Sequence, residues 1–295
     1  MISDKILSNI TIVLITYKSR DKVINFIKKI PKLSPIIIID NSNDFKLKKK
    51  LIKKKNIKVY LKKKNTGYGS SINYACKKIK SKYFLAVQCD VEGINKKTLL
   101  RFNKYAIQLN NKFSMLGPYF VDAPKKGHIQ SSGKKDLEKI FCVHGSCLFF
   151  NTKNFNLVKG FDKNYFLYWE ERDLAIKFKK YKLYSFQINN IKVKHKKGNS
   201  VNKNAIKNNL ELLYNWHFIW SKYYYYKKMY GLTLAFLYFF PIIIRINFRI
   251  FIYSLFKNDK KFTKYYIRWH GLKESIKNKT SYMRLELIEK LIQRI

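Results

Sequence analysis

The densest acidic spot in the chain is Trp169-Glu170-Glu171-Arg172-Asp173, where three of the 18 Asp and Glu residues fall within four positions. Carboxylates gathered in this way suit proton abstraction. They also suit a helix start, because acids in a first turn interact favourably with the helix dipole, and the residues alone leave both readings open. Asp90 closes the largely apolar run from Tyr83, and an acid delivered by a rigid strand is a natural ligand for a hard divalent cation. Glu92 follows two residues later and can point the same way, while a turn or capping role is the plainer alternative for Asp90. His195 ends the run Ile191-Lys-Val-Lys-His195 ahead of Lys196-Lys197-Gly198-Asn199-Ser200. There a neutral imidazole can ligate metal and the basic residues can meet phosphate, unless His195 is simply a surface residue.

Two further patterns are weaker. Gly67 and Gly69 suggest a dinucleotide fingerprint, but its third glycine falls at Ile72, so that fingerprint fails. What remains is a tight turn into a helix starting near Ser70, whose free N–H groups can face phosphate or ribose. Cys142-Val-His144-Gly-Ser-Cys147 spells part of a zinc site without a fourth ligand at recognisable spacing. Buried small hydrophobes on a strand are the better reading.

These residues need a frame. Ile10 to Thr16 is apolar at nearly every position, which reads as a strand buried on both faces. A lysine-rich helical pattern covers Asp21 to Ile30, and buried runs follow at Pro35 to Asp40, Ile57 to Leu61 and Tyr83 to Asp90. Strand and helix alternating in this way imply an α/β fold with a parallel central sheet flanked by helices, which binds ligands outside the carboxyl ends of its strands. Thr16-Tyr17, Asp40-Asn41-Ser42, Asn65 to Gly69 and Asp90 to Glu92 all fall at such ends, so one site is expected there. From about residue 204 the sequence turns aromatic and helical, placing a boundary near 205: residues 1–205 as the catalytic domain and 206–295 as an aromatic, basic helical region.

Composition bounds the function. With 62 Lys and Arg against 18 acids, the net charge is +44, and 46% of residues are hydrophobic, which excludes a wholly disordered or collagenous chain. The charge attracts polyanions of every kind and does not choose among them. Four cysteines without a CxxC pair fit a reduced, cytoplasmic setting. No signal peptide is expected at the N-terminus, and the longest uncharged apolar stretch, Gly231 to Ile244, is shorter than the roughly 20 residues of a conventional transmembrane anchor.

Taken together and in order, six pieces resemble the family 2 glycosyltransferases of GT-A fold, especially the bacterial rhamnosyltransferase-like and galactofuranosyltransferase-like branch. They are Val13-Leu-Ile-Thr16-Tyr17, Ile39-Asp40-Asn41-Ser42, Asn65-Thr-Gly67-Tyr-Gly69, Cys89-Asp90-Val91, Gly160-Phe161-Asp162 with Phe166 to Leu174, and His195 with Gly198 and Ser200. The resemblance covers roughly residues 10–230. It implies that Thr16, Tyr17, Asp40, Asn41, Asn65, Gly67, Gly69 and Cys89 hold the nucleotide sugar, with Asp40 facing the base. It implies that Asp90 and His195 bind Mg2+ or Mn2+ on the donor diphosphate, although Gln88 stands where relatives carry the first acid of that motif. Glu171 falls at the catalytic base, where relatives usually have Asp; Glu170 stays as the alternative, and Trp169 and Asp173 border the acceptor. The expected reaction is inverting transfer of a sugar from a nucleotide diphosphate sugar to a cell-surface polysaccharide or lipid-linked glycan.

Leu232 to Phe256 puts Arg245 and Arg249 on one helical face among Phe, Leu and Ile. That pattern fits a helix in a membrane interface, with cations toward anionic headgroups, and hence a protein peripheral on the inner face of the cytoplasmic membrane. A helix packed on the catalytic domain is the alternative. Two rival functions stay open: a basic nucleic-acid-binding protein, for which no recognition motif appears, and an inactive glycosyltransferase-like membrane scaffold, which Gln88 and Glu171 allow. The donor sugar is left to pocket shape, to which the loop from Val121 to Lys139 is expected to contribute.

Overall fold

The apolar runs of the first ninety residues become strands, of which β1, β2 and β4 are covered on both faces while the edge strand β3 is only partly buried. The computed structural model describes residues 2–123, 130–195 and 204–294. Helix α1 (Ile2–Ser8) leads into β1 (Ile10–Thr16), α2 (Arg20–Ile27), β2 (Ile36–Asp40), α3 (Phe45–Leu51), β3 (Ile57–Leu61), α4 (Tyr68–Cys76) and β4 (Tyr83–Val87). All five residues of β2 and of β4 are buried. There follow β5 (Val91–Glu92), α5 (Lys96–Gln108), β6 (Leu116–Phe120), β7 (Leu137–Ile140), β8 (Cys147–Asn151), α6 (Thr152–Leu157), α7 (Glu170–Lys179) and β9 (Ser185–His195). The remainder is helical: α8 (Asn204–Leu255), α9 (Asp259–Ile276) and α10 (Leu285–Ile292).

The strands form one sheet in the order β3-β2-β1-β4-β8-β6-β9-β5, with β7 paired to β9. Strands β3, β2, β1 and β4 are parallel, as their buried runs imply. Register brings Thr16 opposite Asp40 and Asp40 opposite Leu61, so these carboxyl ends finish level at one edge. The other half of the sheet is mixed. Strand β8 runs antiparallel to β4 with Cys147 opposite Val87, so the residues preceding β8 reach the same edge. Strand β9 runs parallel to β6 and antiparallel to β5, with His195 opposite Val91. Beneath the sheet, Phe149 stacks on Phe102 with centroids 4.9 Å apart. All four cysteines are free. Burial pushes the Cys76 and Cys89 thiols up to about 11 and Cys142 to about 12, and raises Cys147 as well.

The chain forms two compact units. One holds every strand and takes the chain up to Asp162 and again from Glu171; the other takes Lys163–Glu170 and the C-terminal helices. Within the second, Trp216, Trp220 and Tyr223 of α8 are buried. Helix α9 approaches closely because residue 271 is glycine: a Cβ there would lie 2.8 Å from the Trp216 carbonyl oxygen. His217 bonds Ser281 Oγ at 2.9 Å and the Met283 carbonyl at 3.1 Å, and burial lowers its pKa to about 3, so it is neutral. Gly231 to Ile244 belongs to a longer helix than its apolar run suggests. Among the described residues, Asn208–Leu255 is long and apolar enough to cross a membrane by length and composition; its most apolar 18-residue stretch has mean hydropathy 1.8 and is 17% buried.

Candidate functional site

The strand ends of the first unit carry a connected polar edge. Asp40 is buried, and its carboxylate accepts from Thr16 Oγ1 at 2.9 Å, Ser42 Oγ at 2.8 Å and the Asp44 N–H at 2.7 Å. It therefore braces the turn after β2 through both of its oxygens. Asp44 in turn caps α3 through the Leu47 N–H and is held by a two-pronged bond from Arg20, whose guanidinium keeps the Asp44 carboxyl below the usual range. Asn41 joins this turn to the next one, donating to Ser71 Oγ at 3.0 Å. Asn65 Oδ1 accepts the Gly67 N–H at 3.0 Å, and Gly67, at φ 83, caps α4 in a conformation that favours glycine. Gly69 has a packing reason: a Cβ there would lie 2.9 Å from Phe161 Cβ. Tyr17 is half-buried beside Lys18, whose ammonium lies 5.5 Å from its ring centre.

Asp90 lies in a turn between β4 and β5 and not on the strand itself, because the Val91 N–H bonds back to the Gln88 carbonyl. The pairing of β5 with β9 then brings His195 to it. His195 Nε2 lies 3.4 Å from Asp90 Oδ1 and 3.1 Å from Gln88 Oε1, and its main-chain N–H is anchored on Asp122 at 2.8 Å. The Asp90 and His195 side chains are only 5% and 12% exposed. Among the described residues, Asp90 Oδ1 and His195 Nδ1 are buried with no hydrogen-bond partner. Among the described residues, no set of three His, Cys, Asp or Glu side chains surrounds a point there, and Gln88 takes the third position. A carboxylate oxygen, an imidazole nitrogen and an amide oxygen nevertheless fit a hard divalent ion. Adjacent ligands of an octahedral site with bonds of about 2.1 Å stand about 3 Å apart, close to the separations found. Gly198 and Ser200 lie outside the described residues, as does part of the loop from Val121 to Lys139.

The acidic cluster opens α7, and helical phase separates its members. Glu170 and Asp173, three apart, are buried at 4% and 0% exposure, whereas Glu171 is half-buried. Glu171 lies beside Gly145, where a Cβ would be 3.5 Å from its Oε1, and burial lifts its carboxyl above the usual glutamate range. Of the three acids, Glu171 is the one accessible to a second reactant. Tyr168 and Trp169 both have φ 70, an uncommon conformation for bulky residues. In the second unit, Trp169 contacts the rings of Phe218, Tyr225 and Tyr226.

No family model matches the chain. Solved structures resemble its fold. A mannosyltransferase from Pyrobaculum calidifontis, determined with GDP-Man and Mn2+, superposes with a TM-score of 0.58 at 12% identity over 97% of this chain and 79% of that one. S. aureus TarS residues 1–349 superposes at 0.53 with 15% identity, over 92% and 90% of the two chains. The fold is GT-A. In sequence, the chain is 21% identical over 192 residues to the low-salt glycan biosynthesis hexosyltransferase Agl10 of Haloferax volcanii. That match takes in 58% of this chain and spans 61% of the relative.

The GT-A edge also holds a segment that the sequence suggested only as a partial zinc spelling or a buried strand. Residues 143–146 run between the Asp90 pair and Glu171. Gln88 N–H bonds the Ser146 carbonyl at 2.9 Å, Tyr68 OH donates to the Gly145 carbonyl, and the His144 ring lies 5.7 Å from that of His195. The Ser146 N–H points to His144 Nδ1 at 3.3 Å, and Ser146 Oγ lies 2.7 Å from the same nitrogen. The polar triplet His144-Gly145-Ser146 ahead of an apolar run was the available signal, but it points to this edge only once β8 is known to run antiparallel.

Proposed function

We propose that the protein is an inverting, divalent-metal-dependent glycosyltransferase of the family 2 type, which moves a sugar from a nucleotide diphosphate sugar to a lipid-linked or cell-surface glycan at the cytoplasmic face of a membrane. The observation that carries this reading is the convergence of Asp90 Oδ1, His195 Nε2 and Gln88 Oε1 at the strand-end edge of a GT-A fold. Its position, beside the turns that Asp40 and Asn41 brace, supports a bound nucleoside diphosphate. The Agl10 resemblance supports a hexosyl donor and a glycan product.

In this reading Asp90 and His195, with Gln88, hold Mg2+ or Mn2+. When bound, the ion supplies charge to neutralise the departing diphosphate. The turns at Thr16-Tyr17, Asp40-Asn41 and Asn65 to Gly69, with Cys89, cradle the nucleoside. Glu171 takes the proton of the acceptor hydroxyl as its oxygen forms a bond to the anomeric carbon and the bond from that carbon to the diphosphate oxygen breaks. Burial, which raises its pKa, makes the ionised carboxylate a stronger base. His144, beside His195, is a candidate donor to the leaving phosphate, Trp169 is the aromatic candidate for the acceptor sugar, and Asp173, fully buried, would act from behind Glu171 rather than touch the acceptor. Glu170, buried at the start of the same helix, is the less accessible alternative base.

A thermal-shift panel of UDP, dTDP, GDP and CDP, each with and without Mn2+, tests the assignment on the wild type and Asp90→Ala. One nucleotide should stabilise the wild type in a metal-dependent manner, with the shift lost in the variant. No shift with any nucleotide would overturn the donor assignment, and binding without turnover would favour an inactive scaffold.

A further inference from the structure

The second unit carries a surface that the nucleotide chemistry leaves unused. Helix α8 breaks at Gly231 (φ 84, ψ 171), which makes residues 232–255 a separate segment about 36 Å long. One side of it is occupied: Ala235, Phe239 and Ile246 are buried in a cluster with Ile219, Tyr223 and Leu272. On the opposite side Leu234, Leu237, Ile244, Phe248, Phe251 and Leu255 recur at intervals that align them in one stripe, each 55–63% exposed. No charged residue interrupts that stripe. A contiguous apolar face of this length is uncommon on a protein surrounded by water and marks a surface of interaction.

Charge selects the occupant. No Asp or Glu occurs between Glu211 and Asp259, Arg245 and Arg249 flank the stripe on one side, and exposed Lys257, Lys260 and Lys261 follow it. A second copy of this chain would bring another +44 to the contact, whereas an anionic bilayer supplies both apolar depth and opposite charge. Orientation follows from α9, which runs back along the segment: Arg249 donates to Tyr265 OH, and Tyr253 stacks on Tyr265 at 5.6 Å. A spanning segment would carry Arg245, Arg249 and the Lys264 and Arg268 of α9 at hydrocarbon depth, where cations are among the costliest side chains. A segment lying flat leaves them at headgroup level. Near its start, Tyr238 stacks on Tyr226 at 4.2 Å and Tyr230 is 54% exposed, a tyrosine cluster of the kind that favours a membrane–water interface.

We propose that residues 232–255 dock flat on an anionic bilayer, with the Leu234 to Leu255 stripe in the acyl boundary and Arg245 and Arg249 among the headgroups. This deepens the membrane-associated part of the function proposed above and rests on it only for the site of work; the surface uses none of the donor-site residues.

The test is co-sedimentation of the full chain with vesicles of phosphatidylcholine, alone or mixed with phosphatidylglycerol. The wild type should bind the mixed vesicles and remain bound in about 0.5 M NaCl, where the screening length is only about 4 Å, because apolar insertion is not screened. Leu237→Asp/Phe248→Asp changes exposed positions, so it should keep the wild-type melting curve while losing at least about tenfold of the high-salt binding. Arg245→Glu/Arg249→Glu should weaken low-salt binding and reduce the preference for phosphatidylglycerol. Release of wild type and Leu237→Asp/Phe248→Asp at the same salt concentration would overturn the proposal, as would a wild-type dimer in solution that this variant dissociates. Labels on single cysteines introduced at Leu234, Ile244 and Leu255 should be quenched equally by brominated acyl chains. A graded response would mean a spanning helix and refute the flat orientation. Nucleotide-induced thermal shifts measured on the same samples separate the two ideas: loss of vesicle binding with intact shifts sinks only the docking surface, and the converse sinks only the donor site.

Discussion

Replacing Glu171 by Gln should move activity and stability in opposite directions. The amide preserves shape and the position beside Gly145 but cannot accept the acceptor's proton. Loss of a positioned base costs about 10²- to 10⁴-fold in kcat, or roughly 3–5 kcal/mol. Stability changes the other way because burial raises the carboxyl's pKa in the folded chain. Folding then favours the protonated form, so the stability linked to this group is fully present below the unfolded value and is lost as pH rises through the raised folded value. At neutral pH an ionised side chain there is a burden on the fold. About 1 kcal/mol corresponds to roughly 2–4 °C in a chain of this general size. The Gln variant should therefore melt above the wild type near neutral pH, with the gap closing as pH falls through the raised value. Donor-nucleotide binding should be unchanged. Turnover with a nucleotide sugar and melting curves across pH measure the two effects. Transfer within a few-fold of wild type would remove the base; a variant that melts below wild type at neutral pH would refute the burial argument.

Three further changes probe the frame. Gly69→Ala should destabilise by about 1–3 kcal/mol through overpacking against Phe161, more than the roughly 1 kcal/mol that alanine adds to helix propensity, and a raised melting temperature would contradict this. Asp40→Asn weakens charge-assisted bonds from Thr16, Ser42 and the Asp44 N–H and should cost about 1–3 kcal/mol even without ligand; an unchanged denaturation midpoint would mean that the turn is braced otherwise. His195→Ala should raise the Mn2+ concentration needed for nucleotide binding by at least about tenfold, and an unaltered metal requirement would exclude His195 as a ligand.

Much of this frame was legible because parallel strands buried on both faces announce themselves as unbroken apolar runs. Thr16 and Asp40 each ended such a run, and their register in adjacent parallel strands follows almost directly. Strand direction in the second half was not legible, because an apolar run reads the same for β8 in either sense. His144, Gly145 and Ser146 therefore looked like part of a strand or a partial metal spelling. The apolar run places Asp90 at a strand end, but the chain turns two residues earlier, where the Val91 N–H returns to Gln88. The meeting of Asp90 with His195 depends on the short β5 pairing with a strand a hundred residues later, which no local pattern encodes. Glu170, Glu171 and Asp173 were visible as a cluster, but which of them reaches solvent depends on the phase of α7 and so on where that helix begins.

The buried thiols make the protein slow toward electrophiles. A thiol raised to about 11, as Cys76 and Cys89 are, is ionised in only about one molecule in ten thousand at neutral pH, against a few per cent for an ordinary cysteine. Cys142 and Cys147 are slower still. Brief maleimide treatment of the folded chain should leave all four unmodified, so one cysteine introduced on an exposed surface would react alone and carry a probe without first removing the natural ones.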